Sequence, residues 1–236
     1  MRKKEDFDFV KGEILLVNKP LEWSSFDAVR KLKRLVGAKI GHAGTLDPLA
    51  TGLIIMGTGS KTKALTELQN LDKEYTGIFF LGATTPSYDR ESDVDKTWNI
   101  SHIHPEDIYK AAERFVPGYS QLPPMFSAIK IDGTRAYKLA RRGESADIKP
   151  RDIRIDEFEI TAIDGNLIHF RVVCSKGTYI RSLANDFGEQ LGVGAYLHTL
   201  CRTRVGQYKL QDAWDLHELA QVLHERKNAS LRHENI

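Results

Sequence analysis

Glycine and proline are closely spaced between residues 41 and 52. This stretch reads Gly41-His42-Ala43-Gly44-Thr45-Leu46-Asp47-Pro48-Leu49-Ala50-Thr51-Gly52. Glycine tolerates backbone angles that other residues avoid and proline fixes its own φ, so this composition predicts a rigid, tightly turned loop. Asp47 lies in its middle, and Pro48 biases it toward an extended backbone. A carboxylate held in this way can act as a nucleophile or base, although an aspartate that merely closes the turn is the simpler interpretation.

Hydrophobic periodicity on both sides of this loop predicts strands mixed with helices. Strands are predicted over 13–18, 53–56 and 73–81, a hairpin with a bulge over 151–175, and helices over 105–115 and 180–191. A further helix, capped by Ser24 or Ser25 and ended at Gly37, has the apolar stripe Phe26, Val29, Leu32, Leu35 and Val36. A last helix begins near Leu216, and we expect its polar tail after Leu223 to fray. Because no regular βαβ alternation is present, we expect one α+β domain with a mixed, largely antiparallel sheet flanked by helices.

Composition limits the classes of protein that this chain can represent. It has 236 residues, 41% of them hydrophobic, with 34 Lys and Arg against 32 Asp and Glu. This balance excludes disordered and collagen-like chains, and the longest apolar runs, 14–17 and 53–56, are too short to span a bilayer. The basic residues 2–4 are followed by acidic ones, so we expect no signal peptide. Two cysteines, Cys174 and Cys201, form no CxxC pair, which favours a reducing, cytoplasmic setting.

Charge is distributed unevenly along the chain. The segment 26–63 has seven basic and two acidic residues, and the segment 138–154 has six basic and three acidic ones. Between 84 and 115 the balance is reversed, with four basic and seven acidic residues. Two basic segments can hold a polyanion such as RNA, because phosphates are bound largely by Lys and Arg. On charge alone, solvated helix faces remain the simpler interpretation.

Patterns for phosphate loops and metal sites are not fulfilled. A P-loop ending at Lys61-Thr62 would need glycine at position 60, where the sequence has Ser60. The run 89–95 starts like a calcium loop but has Val94 where glycine is needed, so we interpret it as a solvated acidic loop. His102 and His104 have no partners at zinc spacing. We therefore expect no metal site.

Five blocks in sequence order resemble one family of RNA-modifying enzymes. The loop at 41–52 is similar to the signature loop of the TruB family of tRNA pseudouridine synthases. The other matching blocks are Val17-Asn18-Lys19-Pro20, Lys73-Glu74-Tyr75, Pro123-Pro124-Met125-Phe126-Ser127-Ala128-Ile129-Lys130 and Cys174-Ser175-Lys176-Gly177-Thr178-Tyr179-Ile180-Arg181. The match extends from about residue 11 to residue 210. It implies the pseudouridine synthase fold.

The resemblance implies isomerisation of uridine 55 in the tRNA T-loop to pseudouridine, without cofactor or metal. Asp47 matches the essential aspartate, and Arg181 matches the arginine that pairs with it and keeps it ionised. Tyr75 matches a tyrosine that stacks on the uracil and helps to remove the C5 proton. Without the resemblance, Arg181 would be interpreted as a helix-surface ion pair and Tyr75 as a core residue. Whether the carboxylate attacks the sugar or abstracts the C2′ proton stays open.

Substrate contacts are implied for four further residues. Tyr179 and Leu200 match positions that line the uridine pocket, although ordinary packing remains an alternative for both. His42 matches a histidine that inserts into the RNA loop where the base is withdrawn. Lys19 matches a lysine that stiffens the loop or meets phosphate. The two basic segments, with Tyr137 nearby, are then expected to hold the T-arm of tRNA by shape and phosphate contacts.

Two departures from the family pattern affect these expectations. Residues Thr85-Pro86-Ser87-Tyr88-Asp89 stand where the family often has T-D-T-x-D, so Pro86 replaces the first aspartate and the contacts of that loop are open. We expect a catalytic domain over 11–236 with a short extension from about residue 213 and no full PUA RNA-binding domain. We also expect a monomer that does not associate with a membrane and has no obligate protein partner. The alternatives are an RNA-guided or rRNA pseudouridine synthase, or a tRNA-binding folding factor.

Overall fold

The chain is divided into two compact units in a computed structural model. The structure describes residues 7–127, 130–131, 133–136, 142 and 148–233. The first unit combines Met1–Glu74 with Cys201–Ile236, and the second is Tyr75–Leu200. Tyr137 and part of the basic segment 138–154 lie outside the described residues.

Strands and helices alternate irregularly along the chain, as the sequence pattern predicts. The strands are β1 Ile14–Lys19, β2 Ile40–Ala43, β3 Ala50–Thr58, β4 Lys73–Leu81, β5 Ala83–Thr84, β6 Lys96–Thr97, β7 Gly118–Gln121, β8 Lys130–Ile131, β9 Thr134–Arg135, β10 Arg151–Asp164, β11 Leu167–Cys174, β12 Ala195–Val205, β13 Tyr208–Lys209 and β14 Trp214–Asp215. The helices are α1 Ser25–Val36, α2 Leu65–Asn70, α3 Pro105–Glu113, α4 Ile180–Gln190 and α5 Leu216–His233. Short 3₁₀ turns occupy Gly59–Ala64 and Leu210–Asp212.

Pairing between strands is mostly antiparallel. In the first unit β1 lies between β3, to which it is antiparallel, and β14, to which it is parallel. Strand β2 forms an antiparallel pair with β3, and β13 forms one with the end of β12. In the second unit the strand order is β4-β11-β10-β7, and β10 pairs in antiparallel register with both β11 and β7. The predicted α+β class, with a mixed and largely antiparallel sheet flanked by helices, is confirmed.

Helix α1 has the predicted caps but not the whole predicted stripe. The Ser24 side chain accepts a hydrogen bond from the Asp27 amide, and Gly37 ends the helix with φ +68°. The buried residues are Ser25, Ala28, Val29, Leu32 and Val36. Placing Phe26 in the stripe was wrong, because its side chain is 68% exposed. The small Ser25 faces the interior instead, which turns the following residue outward by about 100°.

The cores of the two units differ in character. In the first unit, aliphatic residues of β1 and β3 pack with α1 and α5, and Phe7 and Phe9 join them. In the second unit the core is a cluster of phenylalanine rings from β4, α3–β7, β10, β11 and α4. These rings are Phe79, Phe115, Phe158, Phe170 and Phe187, and Phe79 stacks on Phe170 with ring centres 4.1 Å apart. Close ring packing stabilises the sheet of the second unit and the helix α4 that packs on it.

The long hairpin of β10 and β11 has the predicted bulge and a second one. The register shifts between Ile155 and Glu157, where the sequence changes phase, and again between Ile160 and Ala162. The predicted turn at 164–166 joins the two strands.

The last helix is longer than the sequence pattern predicts. Fraying after Leu223 was wrong, because α5 continues to His233. Side chains in this segment make contacts that the apolar stripe does not reveal. The Arg226 guanidinium lies over the Phe9 ring at 5.5 Å, and the Lys227 ammonium donates to the Arg34 carbonyl at 3.4 Å. None of the described helices is both long and apolar enough to cross a membrane.

A glycine at the start of β3 provides a test of close packing in the first unit. Gly52 has φ +103°, and a Cβ there would lie 2.4 Å from the Arg202 carbonyl oxygen. We predict that Gly52→Ala lowers the free energy of unfolding by about 3 kcal/mol, measured by urea denaturation, because it adds a backbone clash to the strain of a positive φ. Gly37→Ala is the matched control: its φ is also positive but its surroundings are open, so we expect a loss of about 1 kcal/mol. Equal losses in the two variants would contradict the clash.

Candidate functional site

Asp47 lies on a short connection between two paired strands. Strands β2 and β3 form a hairpin in which His42 faces Met56 and Ala43 faces Ile55. The predicted loop at 41–52 is therefore wrong at both ends, because its first residues belong to β2 and its last to β3. Glycine and alanine are depleted in strands, so the sequence pattern did not indicate β2. The connection itself covers residues 44–49, and Asp47 is half-buried within it.

Neighbouring backbone and hydroxyl groups fix the middle of this connection. The Ser25 hydroxyl donates to the Leu46 carbonyl at 3.0 Å and accepts from the Leu46 amide at 2.8 Å. The Ala50 amide donates to the Asp47 carbonyl at 3.1 Å, and the Glu22 amide donates to the Pro48 carbonyl at 2.9 Å. The first turn of α1 is thereby joined directly to the loop that carries Asp47.

Arg202, from β12, is a buried cation that the sequence analysis missed. Its side chain is among the largest fully buried ones and is bonded at three nitrogens. Nε donates to the Leu53 carbonyl at 2.7 Å, Nη2 to the Gly44 carbonyl at 3.0 Å, and Nη1 to the Thr45 carbonyl at 3.5 Å. Arginine in a strand usually lies at the surface, so only its place in an alternating pattern could have indicated burial. The guanidinium joins the start of the Asp47 connection to β3, the strand that follows it.

Lys19 is a second fully buried cation, at the end of β1. Its ammonium donates to the carbonyls of Trp23 at 2.6 Å, Pro20 at 2.9 Å and Pro48 at 3.4 Å. Burial lowers its pKa to about 8; the Asp47 carboxylate opposes this shift and the Arg202 charge adds to it. Lys19 therefore lies within electrostatic reach of both residues. A contact between Lys19 and phosphate stays a prediction.

His42 is half-buried at the end of β2. Burial lowers its pKa below the ordinary value, the Arg202 charge lowers it further, and a hydrogen bond with the Gly44 backbone acts in the opposite direction. The imidazole is therefore predominantly neutral at pH 7. A neutral ring is suited to stacking against a base, as the predicted insertion into the RNA requires. The first unit thus contains three of the predicted site residues, Lys19, His42 and Asp47.

The other four predicted residues belong to the second unit. Tyr75 is buried, with 8% exposure, near the start of β4, and Leu200 is half-buried in β12. Tyr179 immediately precedes α4, and Arg181 lies in its first turn with 5% exposure. Pairing of Asp47 with Arg181 stays a prediction.

Arg181 is held by the loop that departs from the family pattern. Its Nε lies 3.6 Å from Oδ2 of Asp89, while Nη2 donates to the Phe126 carbonyl at 2.9 Å and Nη1 to the Ser87 carbonyl at 3.4 Å. Asp89 also accepts hydrogen bonds from the Ser87 hydroxyl and the Glu91 amide. Interpreting Asp89 as part of a solvated loop was wrong, since it is 4% exposed. The loop keeps a buried carboxylate for Arg181 although Pro86 replaces the first aspartate.

Tyr179 is positioned through its backbone. The buried Gln121 side chain accepts from the Tyr179 amide at 2.8 Å and donates to its carbonyl at 3.1 Å. Gln121 also donates to the Tyr119 hydroxyl, which donates to the Asp186 carboxylate at 2.5 Å. Burial raises the pKa of both Tyr119 and Asp186. The Tyr179 ring has the Arg151 guanidinium 5.4 Å from its centre, which leaves this aromatic side chain beside a positive charge.

The described residues contain no cluster of side chains suited to binding a metal ion. Within residues 7–127 and 148–233 and the short described pieces between them, no group of three or more His, Cys, Asp or Glu side chains could hold a metal ion. The described chemistry of the site consists of carboxylates, buried cations and aromatic rings.

Comparison with known proteins gives long and close matches. The chain is 53% identical over 217 residues to a protein of Flavobacterium johnsoniae named tRNA pseudouridine synthase B, covering 89% of this chain and 95% of that protein. It is 47% identical over 227 residues to a protein of the same name from Phocaeicola vulgatus, covering 93% and 97%.

Solved structures with the same fold come from complexes of several proteins. One is the archaeal box H/ACA sRNP Nop10-Cbf5 complex, with a TM-score of 0.67 and 26% identity over 94% of this chain. Another is a Cbf5-Nop10-Gar1 complex, with a TM-score of 0.71 and 28% identity over 93% of this chain. The chain spans only 57% and 56% of those two chains.

Family models account for nearly the whole sequence. The N-terminal domain of TruB family pseudouridylate synthases matches residues 30–180. The C-terminal domain of tRNA pseudouridylate synthase B matches residues 181–234. Since the N-terminal model alone covers more than half of the chain, and relatives about half identical extend over most of it, this protein belongs to the TruB family of pseudouridylate synthases.

Proposed function

We propose that this chain converts uridine 55 in the T-loop of tRNA to pseudouridine, with Asp47 as the essential carboxylate. The observation that carries the proposal is the ordered backbone of the Asp47 loop. Each of its carbonyls from Gly44 to Pro48 accepts a hydrogen bond, and two of the donors are the buried cations Lys19 and Arg202. Family membership and the name shared by the closely similar relatives favour tRNA as the substrate.

The proposed reaction rearranges one nucleotide without net gain or loss of atoms. The bond between N1 and C1′ breaks, the uracil turns, and a bond forms between C5 and C1′. C5 then loses its proton and N1 gains one. The carboxylate of Asp47 acts either by attack on the sugar or by removal of the C2′ proton. The base must first leave its stack, since C1′ is inaccessible within folded RNA.

Two residues of the second unit are assigned to the reacting groups. We assign Arg181 to pairing with Asp47, and its burial together with the Asp89 contact supports a fixed orientation for the guanidinium. Tyr75 is assigned to stacking on the uracil and to removal of the C5 proton.

Recognition of the RNA is assigned to both pocket and surface residues. Tyr179 and Leu200 line the uridine pocket, His42 enters the space that the base leaves, and Lys19 stiffens the catalytic loop. The seven basic side chains between residues 26 and 63 are all exposed, as phosphate binding requires. We propose that the segment 11–236 acts as one catalytic domain, as a monomer in the cytoplasm, without an obligate protein partner.

Two rival functions are tested by the same experiments. The fold is shared with a Cbf5 chain from a box H/ACA sRNP complex, which is the observation in favour of an RNA-guided enzyme. The much higher identity to relatives named for tRNA favours direct action on tRNA. A folding factor that binds tRNA without modifying it would not need an ordered carboxylate.

Replacing the carboxylate tests the catalytic assignment. We predict that Asp47→Asn reduces the rate of pseudouridine formation at least about 1,000-fold and changes tRNA affinity less than about threefold, because the amide keeps the shape but lacks the charge. Pseudouridine in unmodified tRNA transcript is mapped by carbodiimide-dependent reverse-transcription stops, and affinity is measured by filter binding.

The exposed residue Asp212 supplies the control, and Asp212→Asn is expected to retain the wild-type rate. Parallel loss of binding and activity in Asp47→Asn would argue against a purely chemical function of Asp47. Bound tRNA without a stop at position 55 for the wild type would favour the folding factor or a missing guide RNA.

Salt dependence tests the phosphate-binding surface. We predict that raising salt from about 50 to 200 mM weakens tRNA binding at least about tenfold, the effect expected for two or more neutralised phosphates. Lys31→Gln and Arg34→Gln should each reduce the slope of log Kd against log salt. Arg30→Gln should change it less, since Arg30 already forms an ion pair with Asp27 at 2.7 Å. A flat salt dependence would contradict the assignment.

The lowered pKa of Lys19 predicts a pH dependence. As pH rises through about 8 the ammonium loses its proton, and its charge-assisted bonds to three carbonyls weaken. We therefore predict that the single-turnover rate falls with an apparent pKa near 8, while tRNA affinity at constant salt changes little. Lys19→Met, which has no ammonium at any pH, should be slow throughout and lack this step. A wild-type rate that stays level to pH 9 would contradict the prediction.

A further inference from the structure

Every backbone carbonyl from Gly44 to Pro48 accepts a hydrogen bond. Those of Gly44 and Thr45 accept from Arg202, that of Leu46 from Ser25, that of Asp47 from the Ala50 amide, and that of Pro48 from the Glu22 amide and Lys19. A surface turn usually leaves several carbonyls to water. Complete occupation indicates that the position of this backbone, not only its stability, is constrained.

We propose that Arg202 is a positioning residue for the reaction of Asp47, and that Ser25 has the same function at the centre of the loop. The inference rests on the proposed function. Arg202 contacts the chain before Asp47, at Gly44 and Thr45, and after it, at Leu53. A single rigid group thereby sets the separation of the two ends of the segment that carries the carboxylate.

The shape of the guanidinium is essential to this function. Nε, Nη1 and Nη2 each reach a different carbonyl, and the planar fork fixes their relative directions. A lysine ammonium is a single point on a flexible chain and cannot reproduce this spacing. The close packing of Gly52 against the backbone of Arg202 keeps the two strands in register at this point.

The charge of Arg202 is a second reason to connect it with Asp47. The guanidinium stays protonated when buried, and among the described residues its side-chain hydrogen bonds all go to neutral carbonyls. Burying a charge is costly unless an opposite charge is close. Asp47 and Arg202 both act electrostatically on Lys19, so the carboxylate lies in the same neighbourhood as the two cations.

Single-turnover kinetics separate positioning from a purely structural function. With saturating unmodified tRNA, we expect Arg202→Lys to slow pseudouridine formation about 10- to 100-fold and Arg202→Gln at least about 100-fold, with tRNA Kd within about twofold of wild type. Arg204→Gln is the matched control on the same strand, where the arginine is part-exposed and lies 3.7 Å from Glu74. It should retain the wild-type rate.

Ser25 keeps the inference testable if the Arg202 variants do not fold. Ser25→Ala removes both hydrogen bonds to Leu46 and little volume, and we expect a rate loss of about 3- to 10-fold at unchanged Kd. Its control is Ser24→Ala, which removes the cap of α1 and should lower the melting temperature without changing the rate. This pair separates lost stability from lost positioning.

The outcomes distinguish this inference from the proposed function. Wild-type rates in folded Arg202→Lys and Ser25→Ala would overturn the inference while pseudouridine formation by the wild type still supports the function. Rate and affinity falling together would also overturn it, because a positioning residue acts on the bound complex. Absence of pseudouridine at position 55 with the wild type would instead refute the proposed function.

Discussion

The constraint on which the site depends is the hydrogen bonding of one short backbone segment. Between Gly44 and Pro48 every carbonyl has a donor, and two of the donors are fully buried cations. With the backbone fixed, the Asp47 side chain has only its two own torsions left to vary. Orienting a carboxylate before the substrate arrives removes an entropic cost from the reaction, which is how a rigid loop contributes to catalysis.

The same contacts connect the loop to the core of the first unit. Lys19 ends β1, which α1 and α5 cover, and Arg202 belongs to β12, which lies beside β3 in the same sheet. Ser25 attaches the start of α1 to Leu46. Packing of aliphatic side chains therefore fixes the donors, and the donors fix the loop. The cations are the costly part of this arrangement, and their presence beside a carboxylate indicates a functional reason for burying them.

Features determined by neighbouring residues could be predicted from the sequence, and features that join distant segments could not. The caps of α1, strand β4 and the bulged hairpin depend on residues within a few positions of one another, so periodicity and turn residues indicated them. The function of Asp47 was predicted from a loop motif and a family resemblance. The contacts of Arg202 could not be predicted, because its partners are 149 to 158 residues away in the chain. The burial of Asp89 could not be predicted for the same reason, since its partner Arg181 is distant in the chain.

The predicted site residues form two groups, and each group is ordered by contacts inside its own unit. Lys19 and the Asp47 loop are held by strands and α1 of the first unit, while Arg181 and Tyr179 are held by Asp89 and Gln121 of the second. Each group is thus arranged by contacts that form when its own unit folds. A substitution at Ser25 or Arg202 removes contacts of the Asp47 loop, whereas a substitution at Asp89 or Gln121 removes contacts of Arg181 or Tyr179, so the two kinds of variant act on different groups of predicted site residues.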